Sequence, residues 1–104
     1  FVIEDAAHAH GSTWRGQPMG TIGHIGSFSL QASKNLTAGE GGILLTNHAD
    51  LGAKIWSYIN QGRSPEGAWY EHDMLGSNLR MTGWQAAVLM AQLERFDEQL
   101  ARRQ

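Results

Sequence analysis

The stretch that decides the fold spans residues 25–46 and reads IGSFSLQASKNLTAGEGGILLT. Its first six residues are small and apolar, and its last four are mostly aliphatic, so each end predicts a short strand. Between them lie Lys34 and the run Gly39-Glu40-Gly41-Gly42. Three glycines in four positions allow the backbone to adopt positive φ or to approach a neighbour closely. The stretch therefore predicts two strands joined by a loop that carries one lysine.

The residues upstream of this stretch predict a third strand. Residues 1–3 are apolar and run into Glu4 and Asp5, which predicts a buried strand whose carboxyl end delivers acidic side chains to an opening. In open α/β sheets, ligands bind at that end of the strands. Residues 11–26 are rich in turn formers and predict a surface excursion with little regular structure.

Two helices are predicted downstream. The first runs from about Asp50 to Gln61, with apolar residues four apart on one face and Asp50 as the N-cap. A second long loop follows, around Pro65. The last element begins with a capping box of Thr82 and Gln85. Its apolar residues recur at spacings of 3, 4, 3 and 4, which predicts one long amphipathic helix; they are Ala86, Leu89, Leu93, Phe96 and Leu100.

This order of three strands and two helices predicts an α/β fold, and the absence of a complete βαβ unit is what a slice through a larger α/β protein would give. The sequence starts at Phe1 without a methionine, and we expect it to be a piece of a longer chain.

The composition excludes several classes of protein. With 8 Lys+Arg against 10 Asp+Glu, the formal net charge of −2 argues against a polybasic nucleic-acid or membrane binder. Hydrophobic residues make up 41% and charged residues 17%, as in a folded chain. No apolar run approaches the roughly 18 residues of a membrane span. We therefore expect a soluble protein, with the cytoplasm as its compartment.

His8 and His10 form a His-x-His pair that could suggest a metal site. There is no cysteine in the sequence and no His-Glu-x-x-His run, and the remaining histidines are isolated. A structural or surface role is the expected one, and no metal site is predicted.

The chain contains two lysines. Lys54 lies on the first predicted helix among polar neighbours, as a solvated surface charge would. Lys34 follows a strand of small and apolar residues, and a lysine placed in such a pocket can lose its proton and form a Schiff base. Such chemistry needs an electron sink, and Asp5 supplies a carboxylate of the kind that pairs with a pyridinium nitrogen. A solvated surface charge remains the alternative for Lys34.

Four blocks of sequence carry a resemblance to a known family. They are residues 4–11 (EDAAHAHG), 26–30 (GSFSL), 33–42 (SKNLTAGEGG) and 78–87, which contain NLRM and QAA. The chain resembles the DegT/StrS-type sugar aminotransferases, which belong to the fold-type-I, aspartate-aminotransferase-like, pyridoxal-phosphate enzymes. The resemblance implies part of the α/β large domain, with a mixed, mostly parallel sheet and flanking helices. It places residues 1–80 in the C-terminal part of the cofactor-binding domain and 81–104 in a long helix leading into the small C-terminal domain.

The resemblance also implies roles for single residues. Lys34 would be the catalytic lysine that binds pyridoxal phosphate and then moves a proton. Asp5 would bind the pyridinium nitrogen, and His8 would hydrogen-bond the phenolic oxygen or pack by the ring. Ser29 would bind the phosphate. Asn78 would reach the phosphate of the neighbouring subunit's cofactor, so that a homodimer shares its active sites.

Arg80 has two expected roles, at the subunit interface or on a substrate carboxylate. The implied reaction transfers an amino group from glutamate or glutamine to a keto-sugar or cyclitol ketone. Leu79, the pair at 83–84 and His24 depart from the family's usual residues and leave the substrate subgroup open. The blocks resemble members that act on cyclitol ketones or make aminohydroxybenzoate more than they resemble the nucleotide-sugar majority.

Two other readings stay open. A dehydratase of the same family would by resemblance carry a histidine in place of the lysine, and Lys34 argues against it. A non-catalytic regulatory or scaffold protein would be expected to have lost Lys34 or Asp5, and neither is lost. The family's upstream residues, which cover the ring and bind the phosphate, lie outside this sequence. We therefore expect the 104 residues alone to be inactive and poorly folded.

Overall fold

The computed structural model describes residues 1–103, which form both strands and helices. They are β1 (Ile3–Asp5), β2 (Thr13–Trp14), β3 (Gln17–Pro18), β4 (Ile25–Ser29), β5 (Gly42–Leu45), α1 (Ala49–Ile59), α2 (Gly83–Leu93) and α3 (Phe96–Ala101). The chain divides into two compact units. One comprises residues 1–46 and the segment from Met81 onward, and the other comprises residues 47–80. Over residues 1–103, no helix is long and apolar enough to cross a bilayer.

The first unit is built on a three-stranded sheet with the order β1-β4-β5. β1 and β4 are parallel, with Asp5 opposite Ser27, and β4 and β5 are antiparallel, with Ser29 opposite Gly42. The three predicted strands and the mixed sheet are confirmed. Within the described three-stranded sheet, one pair of strands is parallel and the other is antiparallel. β4 returns directly into β5 through a loop, without the crossover helix that a parallel pair would need.

The excursion between β1 and β4 is more regular than its composition predicted. β2 and β3 pair as a small antiparallel hairpin. The two residues between them, Arg15 and Gly16, have φ angles of 50° and 79°, as a two-residue hairpin turn requires. The excursion then passes close over the sheet, because a Cβ on Gly26 would lie 2.2 Å from the carbonyl oxygen of Gly20. This path of the main chain therefore requires glycine at position 26.

β1 lies at an edge of the described sheet and is largely exposed, whereas the sequence predicted a buried strand. Val2 is 54% exposed and Ile3 is 64% exposed. Among residues 1–103, β4 is the strand that pairs with β1. An apolar run shows that a strand is suited to burial, but it does not supply the surface that covers it.

The core of the first unit lies beneath the loop that carries Lys34. Its buried residues are Leu30, Leu36, Ala38 and Leu89, with Ile43, Met81 and Phe96 packed against them. Leu30 is fully buried, and both its N–H and its carbonyl bond to residues farther along the loop. Its N–H donates to the Gly41 carbonyl at 2.9 Å, and its own carbonyl accepts from the N–H of Ala38 at 2.9 Å. The loop is thus held as a closed unit.

The C-terminal segment begins as predicted but is not one long helix. Thr82 and Gln85 form the capping box at the start of α2. α2 ends at Leu93, and α3 begins at Phe96 after a turn, because Arg95 leaves the helical region with φ −110° and ψ 0°. The apolar spacing continues through this break since Phe96 packs against the same core. The assignment of this segment to a domain connection stays a prediction, and Gln104 lies outside the described residues.

The second unit consists of α1 and a fastened loop. α1 confirms the predicted helix, but its N-cap is His48, and Asp50 lies in its first turn. The loop is closed by β-bridges that join Asn60 to Asn78 and Arg63 to His72. The loop passes so close to itself at Gly62, with φ 82°, that a Cβ there would overlap a main-chain carbonyl oxygen.

Candidate active site

Several of the predicted site residues converge on one edge of the sheet. Asp5 is the last residue of β1, and Ser29 is the last residue of β4. Parallel strands place their carboxyl ends at the same edge, so these two residues follow neighbouring strands to one side. Lys34 lies on the loop that leaves this edge. The sheet therefore brings Asp5, Ser29 and the loop of Lys34, which the resemblance had assigned to the cofactor, to one edge in the first unit.

Lys34 is half-buried and contacts His8. Its Nζ lies 2.9 Å from Nε2 of the His8 ring and 3.5 Å from Nδ1. The shorter contact is at hydrogen-bond distance, and which of the two groups donates depends on the tautomer of the ring. Among residues 1–103, no carboxylate lies within 4.0 Å of Lys34. Lys34 is thus oriented by the His8 ring and, within the described residues, is not fixed in an ion pair.

The loop between Ser29 and Lys34 is ordered by its own hydrogen bonds. The N–H of Gln31 donates to Ser29 Oγ at 3.3 Å. The amide oxygen of Gln31 accepts from the N–H and the hydroxyl of Ser33, at 2.8 and 2.6 Å. The N–H of Lys34 donates to the Gln31 carbonyl at 3.0 Å. Ser29 and Lys34 are therefore positioned by one turn.

The two acidic residues of β1 have different hydrogen-bond partners, a distinction that the sequence did not reveal. Glu4 accepts hydrogen bonds from the N–H groups of Gly20, Ile22 and Gly23 at 2.7, 2.7 and 2.6 Å. The bonds from Gly23 and Gly20 are the main causes that lower the pKa of Glu4 below its usual value. Asp5 accepts from the N–H of Ala7 at 3.2 Å. Successive side chains of a strand point to opposite faces, so Glu4 fastens the excursion and Asp5 remains available to a ligand.

His10 lies in the interior of the first unit, in agreement with the structural role that the sequence predicted. It is 5% exposed, and its ring packs 5.3 Å from the ring of Phe28. Burial lowers the pKa of His10, and electrostatic interactions with Lys34 and His8 lower it further, against a hydrogen bond with the main chain of Ser29. A neutral imidazole thus lies beneath the turn that carries the site.

Asn78 and Arg80 belong to the second unit. Asn78 forms the bridge with Asn60, and its Oδ1 accepts from the N–H of Arg80 at 3.5 Å. The first unit therefore brings together the four residues predicted nearest the cofactor, and the second unit carries the two that were assigned to the neighbouring subunit or the substrate.

The donor set of the first unit fits pyridoxal phosphate chemically. The amine of Lys34 matches an aldehyde, and the carboxylate of Asp5 matches a protonated ring nitrogen. The hydroxyl of Ser29 accepts from a main-chain N–H and keeps its own hydrogen for an anion. Over residues 1–103, no three side chains of the metal-binding types are grouped to hold a metal ion.

Comparison with known proteins places this arrangement in context. The model of the DegT/DnrJ/EryC1/StrS aminotransferase family matches residues 1–104. GDP-perosamine synthase of Caulobacter vibrioides is 47% identical over 104 residues, which are 100% of this chain and 28% of that protein. L-glutamine:scyllo-inosose aminotransferase of Streptomyces griseus is 44% identical over 111 aligned residues, and the match covers 98% of this chain and 26% of that protein.

A solved structure shows the same fold. The crystal structure of 3-amino-5-hydroxybenzoic acid synthase superimposes with a TM-score of 0.86 at 40% identity, covering 95% of this chain and 26% of the other. The chain spans about a quarter of the length of the relatives that it matches.

Proposed function

Because this chain belongs to the DegT/DnrJ/EryC1/StrS aminotransferase family, we propose that the protein containing it is a pyridoxal-phosphate-dependent aminotransferase. The proposed reaction moves an amino group from glutamate or glutamine to the keto carbon of a sugar or cyclitol. One observation carries the proposal. The amine of Lys34 is held 2.9 Å from His8, at the sheet edge where Asp5 and Ser29 end their strands.

Each residue has a chemical task in this proposal. Bound pyridoxal phosphate supplies an aldehyde that combines with amines and a ring that accepts an electron pair. Lys34 would hold the group covalently and, once released, would move a proton at the substrate carbon as a general base and acid. Asp5 would keep the ring nitrogen protonated by its negative charge. Ser29 would donate its hydroxyl hydrogen to the phosphate.

His8 would orient the lysine. Its Nε2 lies within hydrogen-bond distance of the Lys34 amine. A ring nitrogen that accepts from this amine would direct it without stabilising the ammonium as strongly as a carboxylate would. The same ring is exposed and can pack beside a cofactor or bond to its phenolic oxygen. His8 would therefore be a positioning residue for Lys34 and a contact for the cofactor.

The partner and substrate roles rest on the second unit. We propose that Asn78 reaches the cofactor phosphate of a neighbouring subunit in a homodimer, and that Arg80 lies at that interface or binds a substrate carboxylate. The printed activities of the relatives include both a GDP-sugar synthase and a cyclitol aminotransferase, which keeps both acceptor classes open. The retained Lys34 and Asp5 disfavour the dehydratase and the non-catalytic alternatives.

The proposal is tested on the purified intact protein. Addition of pyridoxal phosphate is expected to produce a visible absorbance band. Borohydride is expected to bleach this band as it reduces the C=N bond, and to leave the pyridoxyl group fixed as a label on the peptide that contains Lys34. Lys34→Ala is expected to abolish the band and the label. Lys54→Ala is the matched control, because Lys54 is the other lysine of the chain and should leave both unchanged. A band and a label that survive Lys34→Ala would contradict the proposal.

A further inference from the structure

The amide side chain of Gln85 joins α2 to the loop that carries Lys34, within the first unit. Its oxygen accepts from the N–H and the hydroxyl of Thr82 at 3.0 and 2.9 Å, as part of the capping box. Its nitrogen donates to the main-chain carbonyl of Glu40 at 2.9 Å, across 45 residues of sequence. A helix cap uses the oxygen alone, so capping does not explain the second bond.

The peptide that accepts this second bond receives little restraint from its own sequence. It joins Glu40 to Gly41, and it is flanked by two glycines with positive φ, 83° at Gly39 and 139° at Gly41. Glycine adopts many main-chain conformations at similar cost. The orientation of this peptide therefore depends on an outside contact, and the hydrogen bond from Gln85 supplies one.

Main-chain hydrogen bonds connect this peptide to the lysine. The carbonyl of Gly41 accepts from the N–H of Leu30 at 2.9 Å. The next residue, Gln31, accepts through its carbonyl from the N–H of Lys34 at 3.0 Å. A rotation of the peptide before Gly41 would disturb the bond to Leu30, and with it the turn that carries Lys34.

α2 also supports the loop through an apolar contact. Leu89, about one helical turn after Gln85, is buried in the same core as Leu36 and Ala38 of the loop. Such burial holds the loop against the helix, but it is non-directional. The contact that can fix the direction of a peptide group is the hydrogen bond from Gln85.

We propose that Gln85 is a positioning residue for Lys34, on which it acts through the main chain of the loop. This inference rests on the proposed function of Lys34 as the lysine that binds the cofactor. The bond from Gln85 fixes the arm of the loop that returns to the sheet, and so fixes the amine relative to Asp5 and Ser29. A displacement of about 1 Å caused far from the chemistry can cost about a hundredfold in rate.

Two variants separate the cap from the bond to the loop. Gln85→Glu keeps the acceptor of a capping box and adds a negative charge, which is favourable near a helix N-terminus, but a carboxylate cannot donate to the Glu40 carbonyl. Thr82→Ala does the converse. It removes the hydroxyl of the cap and keeps the main-chain N–H that holds the Gln85 oxygen, so Gln85 can still donate to Glu40.

The first readout uses the intact protein without pyridoxal phosphate. Hydrogen exchange measured by mass spectrometry reports local opening of residues 30–42. Gln85→Glu should exchange about tenfold faster there, as the loss of one hydrogen bond predicts, with a Tm equal to or above that of wild type. Thr82→Ala should lower Tm and leave the exchange of the loop unchanged. Gln17→Glu, at an exposed position of β3, controls for the added charge and should match wild type in both measurements.

The second readout uses the protein loaded with pyridoxal phosphate. Gln85→Glu should keep the absorbance band of Lys34 and the KM for the amino donor, while kcat falls by about tenfold to a hundredfold. Thr82→Ala should keep kcat, although it is the less stable protein. Gln85→Met is the second variant should Gln85→Glu fail to fold, and it is then compared with Thr82→Ala, which loses the cap hydroxyl alone.

The outcomes are distinct. Loop exchange and kcat that are equal in wild type and Gln85→Glu would overturn the inference and leave Gln85 as a helix cap. A fall of kcat in Thr82→Ala in step with its Tm would overturn it as well, because loss of stability would then explain the rates. Absence of the Lys34 band in wild type would reject the proposed function, whereas faster loop exchange in Gln85→Glu without the cofactor would still support the role of Gln85 in holding the loop.

Discussion

The Nζ atom of Lys34 lies 2.9 Å from Nε2 of His8, across 26 residues of sequence. The turn after β1 carries the histidine, and the loop after β4 carries the lysine. Because these strands are parallel neighbours, the segments that follow them meet at the same edge of the sheet. The contact therefore depends on the order of the strands and not on a local motif.

Replacing His8 tests whether this contact positions the lysine. His8→Phe removes the acceptor and keeps a planar ring, so we expect pyridoxal phosphate to bind while kcat falls by about tenfold to a hundredfold, within the range of proton-transfer effects. His8→Gln keeps an acceptor oxygen and should restore much of the rate. Single-turnover kinetics on the intact protein measure the effect. A kcat for His8→Phe equal to that of wild type would show that the ring alone suffices.

Glu4 should make stability depend on acid. Hydrogen bonds from main-chain N–H groups lower its pKa in the fold below the usual value of 4.5. The stabilisation is therefore complete above about pH 4.5 and is lost as pH falls through the folded pKa. Glu4→Gln should lower Tm at pH 7 and reduce the difference in Tm between pH 7 and pH 4. Glu40→Gln, at an exposed position, is the control and should follow wild type in thermal melts.

His10 should add a second pH dependence at higher pH. Its pKa is lowered by burial from the usual value of 6.5, so the unfolded chain binds a proton more readily than the folded one. Stability from this group is complete above about pH 6.5 and is lost as pH falls from there toward the folded pKa. His10→Gln should remove this slope of Tm between pH 7.5 and 5.5. The idea fails if the slope is unchanged in the variant.

Gly26 should tolerate no side chain. A Cβ would lie 2.2 Å from the Gly20 carbonyl oxygen, and main-chain atoms cannot move aside without disturbing the excursion that Glu4 fastens. We expect Gly26→Ala to cost roughly 1–3 kcal/mol, as overpacking does. Gly83→Ala is the control, because a Cβ there meets nothing within 4 Å and helices favour alanine. Denaturant melts compare the two, and equal stabilities would refute the close approach.

Much of the local structure could be predicted from the sequence. The apolar runs gave the positions of β1, β4 and β5, and the capping box located the start of α2. These features depend on side-chain periodicity and on main-chain donors within a few residues. The choice between the two lysines also rests on local sequence, because Lys34 follows a predicted strand and Lys54 lies on a predicted helix, and it stays a prediction.

Other features depended on contacts that no local pattern contains. The apolar spacing continues through Arg95, yet α2 ends before this residue. Phe96 packs against the core from the start of α3, so the same spacing is compatible with a turn between two helices. The exposed state of β1 likewise reflects its position at the edge of the sheet rather than its composition.

The sequence by itself determined which chemical groups this protein possesses: one lysine in a loop after a strand, two acids at the end of another, and a serine five residues before the lysine. Only the tertiary structure decided their tasks. It directs Glu4 to the N–H groups of Gly20, Ile22 and Gly23, leaves Asp5 accessible, and buries His10 beside Phe28. The physical reason is that a side chain's partners are set by strand register and packing between segments distant in sequence, whereas its chemistry is set by its residue type alone.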